Sequence, residues 1–235
     1  IRIFIERYVG EKLYMRTIMK RLLVIVEGHA EQEFVNEILR PYLNSFGLYD
    51  VTPVLIHTSK TGKGGFVNYD HLNNTVVPLL RTKGNDIVVT TFVDYFRIPT
   101  NTPHYEECIK LGSNKDIVVK LEQCIDENIN DRRFFSYIQL HEFEALLFSN
   151  NNGFKEYFTE EQAKLTNAIV NEFDNPEDIN TDPKYAPSKR LLSIKENYNK
   201  PIEGNLIALE IGINTMLERC PRFAAWVNEL VQKCK

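Results

Sequence analysis

The sequence predicts an α/β fold: a mainly parallel sheet flanked by helices, with a helical C-terminal extension. Three observations predict it. Short apolar runs rich in β-branched residues alternate with stretches of helical periodicity from Leu22 to Phe148, the pattern of strand–helix–strand units. The runs are continuous, as in strands buried on both faces. After Ser149 the strand runs stop, and the chain turns polar and then helical.

Leu22 to Val26 is the first strand, followed by Gly28. Phe34, Val35, Ile38, Leu39, Tyr42 and Leu43 then recur at helical spacing. Pro41 lies inside that pattern and is expected to kink or shorten the helix. Val51 to His57 reads as a second strand, and Thr58 to Phe66, with three glycines, as a loop. His71 to Leu80 has weak helical periodicity, and Asp86 to Val93 is the most strand-like stretch. A loop marked by Pro99 and Pro103 leads to a predicted helix from Asp116 to Ile129. Phe134 to Leu140 reads as a fourth strand running into a helical Glu142 to Phe148. Helices are expected over Glu160–Phe173, Gly204–Glu218 and Pro221–Cys234, with Pro221 suited to a first turn. The expected division is an N-terminal extension or expression remnant over 1–18, a core over 19–149, and a mostly helical part over 150–235 packed on it.

The chain has 235 residues, 28 of them Lys or Arg and 32 Asp or Glu, for a net charge of −4. That balance disfavours a globally basic nucleic-acid binder. It does not exclude a phosphate enzyme, because a bound metal can supply the positive charge. The hydrophobic fraction of 43% excludes a disordered chain. The run Leu22–Val26 is too short for a membrane span or a secretory leader. Cys108, Cys124, Cys220 and Cys234 form no C-x-x-C pair and have no zinc-ligand spacing. Reduced thiols in a cytoplasmic protein, with no membrane partner, are expected.

In open α/β sheets, ligands bind beyond the carboxyl ends of strands. Glu27 and Asp94 close the first and third predicted strands, so the fold could set them side by side. Glu31 opens the following helix, where an acid is favoured by the dipole; it reads as a capping charge or a proton carrier. A third acidic group is His141-Glu142-Phe143-Glu144. Its order is not H-E-x-x-H, which excludes the zinc-protease pattern. Both acids could instead be salt-bridged to Arg132 or Arg133. Oxygen donors without a His/Cys cluster suit Mg²⁺ or Mn²⁺.

Two segments could meet phosphate. Lys60 to Gly65 is glycine-rich and carries Lys63, but lacks the Walker order and could be a plain surface loop. Ala186-Pro187-Ser188-Lys189-Arg190 sets a proline, a serine and two cations at a helix start, which favours anions.

Five strings occur in order: Val26-Glu27-Gly28-His29-Ala30-Glu31, Phe92-Val93-Asp94-Tyr95-Phe96, His141 through Phe148, Ala186-Pro187-Ser188-Lys189-Arg190, and Cys220-Pro221-Arg222-Phe223. Together, from about Met19 onward, they resemble the bacterial domain-of-unknown-function 4276 family, grouped with Toprim-like proteins. The resemblance implies a Toprim-like, Rossmann-like sheet whose strand-end acids hold divalent metal for phosphodiester chemistry, as in topoisomerases, primases and overcoming-lysogenization-defect nucleases. By position, Glu27 is similar to the first-motif glutamate and Asp94 to the first aspartate of Asp-x-Asp. Position 96 is Phe, so the second aspartate is missing. Either Glu142 or Glu144 replaces it, or the metal site is weak or lost. The resemblance also implies an AAA- or ABC-type ATPase partner in a phage-defence setting.

The leading expectation is a Mg²⁺- or Mn²⁺-dependent phosphodiesterase, a nuclease. Glu27, Asp94, Glu142 and Glu144 would serve as metal ligands, and Lys189 or Arg190 would stabilise phosphate charge. Lys63, Ser188 and His141 would contact substrate. The rival is a non-catalytic effector subunit docked on an ATPase, favoured if the face around Phe223 and Trp226 is exposed. A small phosphate-ester enzyme at the same strand ends is a third reading. In each catalytic case the acidic centre predicts weak nucleic-acid binding without metal or partner.

Overall fold

The computed structural model describes residues 19–57, 66–82, 84, 86–179 and 182–235. Strand β1 (Arg21–Val26) is the apolar run expected from its sequence. It leads into α1 (His29–Phe34), a π-helical turn at Val35–Leu39, and α2 (Arg40–Asn44). The widened turn ends just before Pro41. Its ring would crowd the carbonyl of the residue four back, so the expected kink takes the form of a π-turn. Strand β2 (Val51–Leu55) is two residues shorter than its apolar run. Helix α3 (Tyr69–Thr82) precedes β3 (Ile87–Asp94), every residue of which is buried.

A short α4 (Tyr105–Cys108) is followed by α5 (Asn114–Ile129), capped by the Ser113 side chain on the Asp116 N–H. The expected fourth strand is broken into β4 (Phe134–Phe135) and β5 (Ile138–Gln139). Side chains intervene between the two pieces. The Thr91 hydroxyl accepts from the Tyr137 N–H at 2.7 Å and donates to the Tyr137 carbonyl at 2.7 Å. Ser136 turns toward α5, its N–H and hydroxyl both reaching Asp126 at 2.7 Å. The main-chain ladder is thus replaced at one step by a threonine.

A 3₁₀ turn at Phe143–Ser149 takes the place of the expected α-helix. The helical part then comprises α6 (Asn152–Tyr157), α7 (Glu160–Glu172), α8 (Pro187–Ile194), a π-turn at Lys200–Gly204, α9 (Asn205–Ile211), α10 (Ile213–Arg219) and α11 (Pro221–Cys234). The single helix expected over 204–218 is split at Gly212, whose φ of 76° suits glycine and ends α9.

The sheet is parallel throughout, in the order β2-β1-β3-β4, with β5 also pairing β3. The register sets Val26 opposite Phe92. Glu27 and Asp94 therefore leave the same edge of adjacent strands.

Each sheet face has its own core. Leu23, Ile25, Val89 and Val93 face a cluster with Leu72 and Val76 of α3 and Val118 and Leu121 of α5. Leu22, Val24, Val26 and Phe92 face Phe34, Phe143, Ile207, Phe223 and Trp226. Aromatic rings dominate this second face. Trp226 stacks on Tyr137 and Phe92 with centroids 4.6 and 5.3 Å away, and its indole N–H reaches the Thr90 hydroxyl at 3.0 Å. Such pairs add about 0.5–1.5 kcal/mol beyond area burial. The exposed Phe223/Trp226 face considered from sequence is therefore absent: both rings are buried, because α11 lies on the sheet. The four cysteines are free and buried. Among the described residues no helix is long and apolar enough to cross a membrane.

Candidate functional site

The parallel sheet directs the carboxyl ends of β1 and β3 to one edge, and four acids gather there. Glu27 follows β1 directly, and both of its oxygens are used by backbone. Oε1 accepts from the Asp94 N–H at 2.5 Å and Oε2 from the Phe66 N–H at 3.2 Å. Asp94 ends β3, and its Oδ1 accepts from the Phe143 N–H at 2.7 Å. This bond ties the strand end to the 3₁₀ turn and carries Glu144 in beside it. Glu31 enters from the first turn of α1.

Glu31 Oε1, Asp94 Oδ2 and Glu144 Oε2 converge on one ammonium, Lys200 Nζ, at 2.9, 3.1 and 3.1 Å. Lys200 opens the π-turn between α8 and α9. That turn is held by the Lys195–Glu203 ion pair, by the Asn199 N–H on Glu203 at 2.8 Å, and by Asn205 Nδ2 on the Ala30 carbonyl at 3.0 Å. The lysine is therefore placed by the fold and also cross-links the helical part to α1.

The electrostatics follow from burial. Loss of water raises the pKa of Asp94 well above the carboxylate range, and neighbouring acids add to this against the pull of Lys200. Glu144 is pushed up to about 7 by burial, again against Lys200. Glu27 is raised by burial and by Glu31, opposed by its two N–H donors and Lys200. For Lys200, burial opposes the charge, but the summed attraction of Asp94, Glu144 and Glu31 wins and holds its pKa well above the ordinary lysine value.

The other sequence candidates lie elsewhere. Glu142 and Glu144 do not act as a pair. Glu142 turns to the start of α8, accepting from the Ser188 N–H and hydroxyl, each at 2.9 Å. The N–H and hydroxyl of Ser188, expected to meet phosphate, are thus taken up by the chain's own carboxylate at a helix start. Lys189 is exposed and outside the lysine cluster. Arg190 is turned into structure: it donates to the Tyr185 carbonyl at 2.9 Å, meets Glu172 at 3.6 Å and lies over the Phe173 ring. His141 is buried beside Glu177, and burial lowers its pKa to about 4. Arg133 pairs with Asp131 at 2.6 Å, so the alternative ion-pair reading of Glu142 and Glu144 does not apply to it. Lys63 and its glycine-rich loop lie outside the described residues.

Lys200 has no forewarning in the sequence. It sits in an Asn- and Pro-rich stretch, 106 residues from Asp94. Tyr198 beside it is a second omission: its buried hydroxyl has no hydrogen-bond partner among the described residues.

Comparison with known proteins places this chain in a family. The model of the family described as "Domain of unknown function (DUF4276)" matches residues 26–231. The chain belongs to this family. The match takes in all four acids, Lys200 and the aromatic face of α11. No curated protein matches the chain. Among solved structures, the C-terminal region of the Xanthomonas campestris pv. campestris OLD protein is similar at 16% identity, covering 92% of this chain and 94% of that one, with a TM-score of 0.45. The C-terminal region of the Burkholderia pseudomallei OLD protein is similar at 14% identity over 90% and 98%, with a TM-score of 0.46.

The acids can be tested against the Mg²⁺ or Mn²⁺ that a Toprim-like site implies. The donor chemistry fits, since Glu31, Asp94 and Glu144 offer hard oxygens to one point. Glu144 Oε1 is buried without a hydrogen-bond partner among the described residues, so it has a free acceptor for a cation. The point itself is held by an ammonium. As they stand, no three or more His, Cys, Asp or Glu among the described residues form a metal-holding group.

Proposed function

We propose that the chain is a divalent-metal-dependent phosphodiesterase of Toprim-like type acting on nucleic acid. The observation that carries this reading is the convergence of Glu31, Asp94 and Glu144 beyond the carboxyl ends of β1 and β3. Asp94, Glu144 and Glu31 would hold Mg²⁺ or Mn²⁺. When bound, the metal supplies Lewis-acid polarisation of a phosphoryl oxygen and a water of lowered pKa.

The remaining roles belong to the chain. Glu144 stands in for the second acid that Phe96 lacks, brought there by the Asp94–Phe143 bond. Glu27 fixes the Asp94 backbone and the Phe66 N–H, so it is a positioning residue. Lys200 carries the positive charge that Lys189 and Arg190 were expected to supply, and would stabilise charge on the transferring phosphate. Glu142 holds α8 and is assigned no catalytic part.

The test is cleavage of labelled single- and double-stranded DNA and RNA with 5 mM Mg²⁺ or Mn²⁺. Asp94→Asn and Glu144→Gln should each reduce cleavage by about 100-fold or more, the scale of losing a main electrostatic contribution. Glu142→Gln, folded and at equal concentration, should retain most of it. Full activity in both Asp94→Asn and Glu144→Gln would remove the assignment.

A second reading is favoured by the ammonium at the centre and by Phe at position 96. In it, the chain is a non-catalytic effector subunit of an AAA- or ABC-type ATPase in phage defence. Co-purification with such an ATPase, with no cleavage in either metal, would support it.

A further inference from the structure

We propose that Lys200 is an exchangeable internal cation: its ammonium and a divalent metal are alternative occupants of one point, and the lysine must leave for the metal to enter. The inference rests on the metal-dependent reading above and adds how the site is gated.

Three observations carry it. The first is position. Nζ lies 2.9 to 3.1 Å from one oxygen each of Glu31, Asp94 and Glu144. A magnesium ion needs oxygens at about 2.0–2.1 Å, so it would occupy the same volume with the carboxylates drawn in by about 1 Å. Two cations cannot both lie at that point.

The second is access. The side chains of Glu31, Asp94 and Glu144 are 4%, 9% and 1% exposed, whereas that of Lys200 is 29% exposed. The acids are buried, while the lysine side chain is partly exposed and carries its ammonium on a flexible four-carbon stem.

The third is a spare donor. Glu31, Asp94 and Glu144 share one ammonium, and Glu144 Oε1 has no hydrogen-bond partner among the described residues. The lysine leaves that oxygen unused, and a divalent ion could take it as a further ligand. The displaced ammonium would then stand at the mouth of the site, beside any phosphate drawn to the metal.

The experiment uses the full chain in two arms. In the first, lysines of the wild-type protein are acetylated briefly in EDTA or in saturating Mn²⁺ and read by mass spectrometry. Lys200 should label slowly in EDTA and at least several-fold faster in Mn²⁺, while exposed Lys189 stays constant. In the second, Mn²⁺ affinity is measured by electron paramagnetic resonance for wild type and Lys200→Met. The variant should bind about tenfold tighter or more, the ordinary size of a site-to-site coupling. Its melting temperature should be lower than wild type in EDTA and recover with Mn²⁺.

Unchanged or slower Lys200 labelling in Mn²⁺ overturns the proposal. So does weaker Mn²⁺ binding by Lys200→Met, which would make the lysine a co-ligand's partner, or no Mn²⁺ binding by either protein. The two readings separate cleanly. Wild-type cleavage without faster Lys200 labelling removes the exchange and leaves the phosphodiesterase. Tighter Mn²⁺ binding by Lys200→Met, with faster labelling but no wild-type cleavage, upholds the exchange and removes the phosphodiesterase.

Discussion

His141 shows how much one residue can be constrained near the site without belonging to it. Its φ is 69°, in the left-handed region where histidine is uncommon. Its carbonyl accepts from the Phe96 N–H at 2.8 Å, and Glu142 follows it directly into the α8 contact. The ring is buried, and burial lowers its pKa from 6.5 to about 4 despite a hydrogen bond to the Glu177 backbone. The folded state therefore resists a proton that the unfolded chain accepts. The stability this group contributes is complete above pH 6.5 and declines as pH falls toward 4. At about 1.4 kcal/mol per pH unit, the loss between pH 7 and pH 5 is on the order of 2 kcal/mol. His141→Asn keeps a residue tolerant of positive φ and removes the titration. Urea unfolding at the two pH values should show the wild type losing about that much more stability than the variant. Equal losses in both would mean the imidazole is not held neutral.

Elements differ in how far the sequence reveals them, and the reasons are physical. Strands β1 and β3 are legible because two-sided burial makes a continuous apolar run, and a charge just after such a run marks its end. That is why Glu27 and Asp94 can be placed at one edge from sequence. The fourth strand is misread because Thr91 and Ser136 make side-chain bonds that break the ladder, and no pattern of hydrophobicity encodes that. Glu142 and Glu144 stay ambiguous in sequence because an extended residue leads into a 3₁₀ turn there, so neither strand nor α-helix spacing applies. Lys200 is hidden for a different reason: it meets Asp94 across 106 residues, and no local signal reports a contact of that range. Close approach of elements is similarly invisible until geometry is known. Helix α6 meets α9 at Gly153, where an added Cβ would lie 2.4 Å from the Ile207 carbonyl oxygen. Gly153→Ala must push the two helices apart and should cost about 1–3 kcal/mol, the range for overpacking a tight contact. Gly112→Ala, with nothing within 4 Å of its Cβ, should stay within about 0.5 kcal/mol of wild type. Denaturant midpoints of the two variants read the difference, and equal midpoints would contradict so tight a contact.

At the scale of the whole molecule, the site depends on parts distant in sequence being one body. The acids come from the region before Ser149, while the lysine that binds them comes from the helical region after it. The core crosses the same line. One cluster contains Leu22, Val24 and Phe92 from the sheet together with Phe154, Ile207, Phe223 and Trp226 from the later helices. The helices after Ser149 thus cover the sheet face that α3 and α5 leave open, so the two parts share one of the two cores. A buried interface of this kind should make unfolding all-or-none. The single tryptophan tests this directly. Trp226 lies at the seam, stacked on Phe92 and Tyr137 and bonded to Thr90, so its fluorescence reports separation of α11 from the sheet. Far-UV circular dichroism reports helix content, which lies on both sides of Ser149. The two signals should give coincident urea transitions with one midpoint and one slope. Trp226→Ala should lower that midpoint by the equivalent of about 3–5 kcal/mol, as for other buried aromatic truncations, without splitting the transition. An early fluorescence change with most of the helix signal retained would instead mean that the tail peels off first. The lysine would then leave the acids through domain movement and not through the motion of its own side chain.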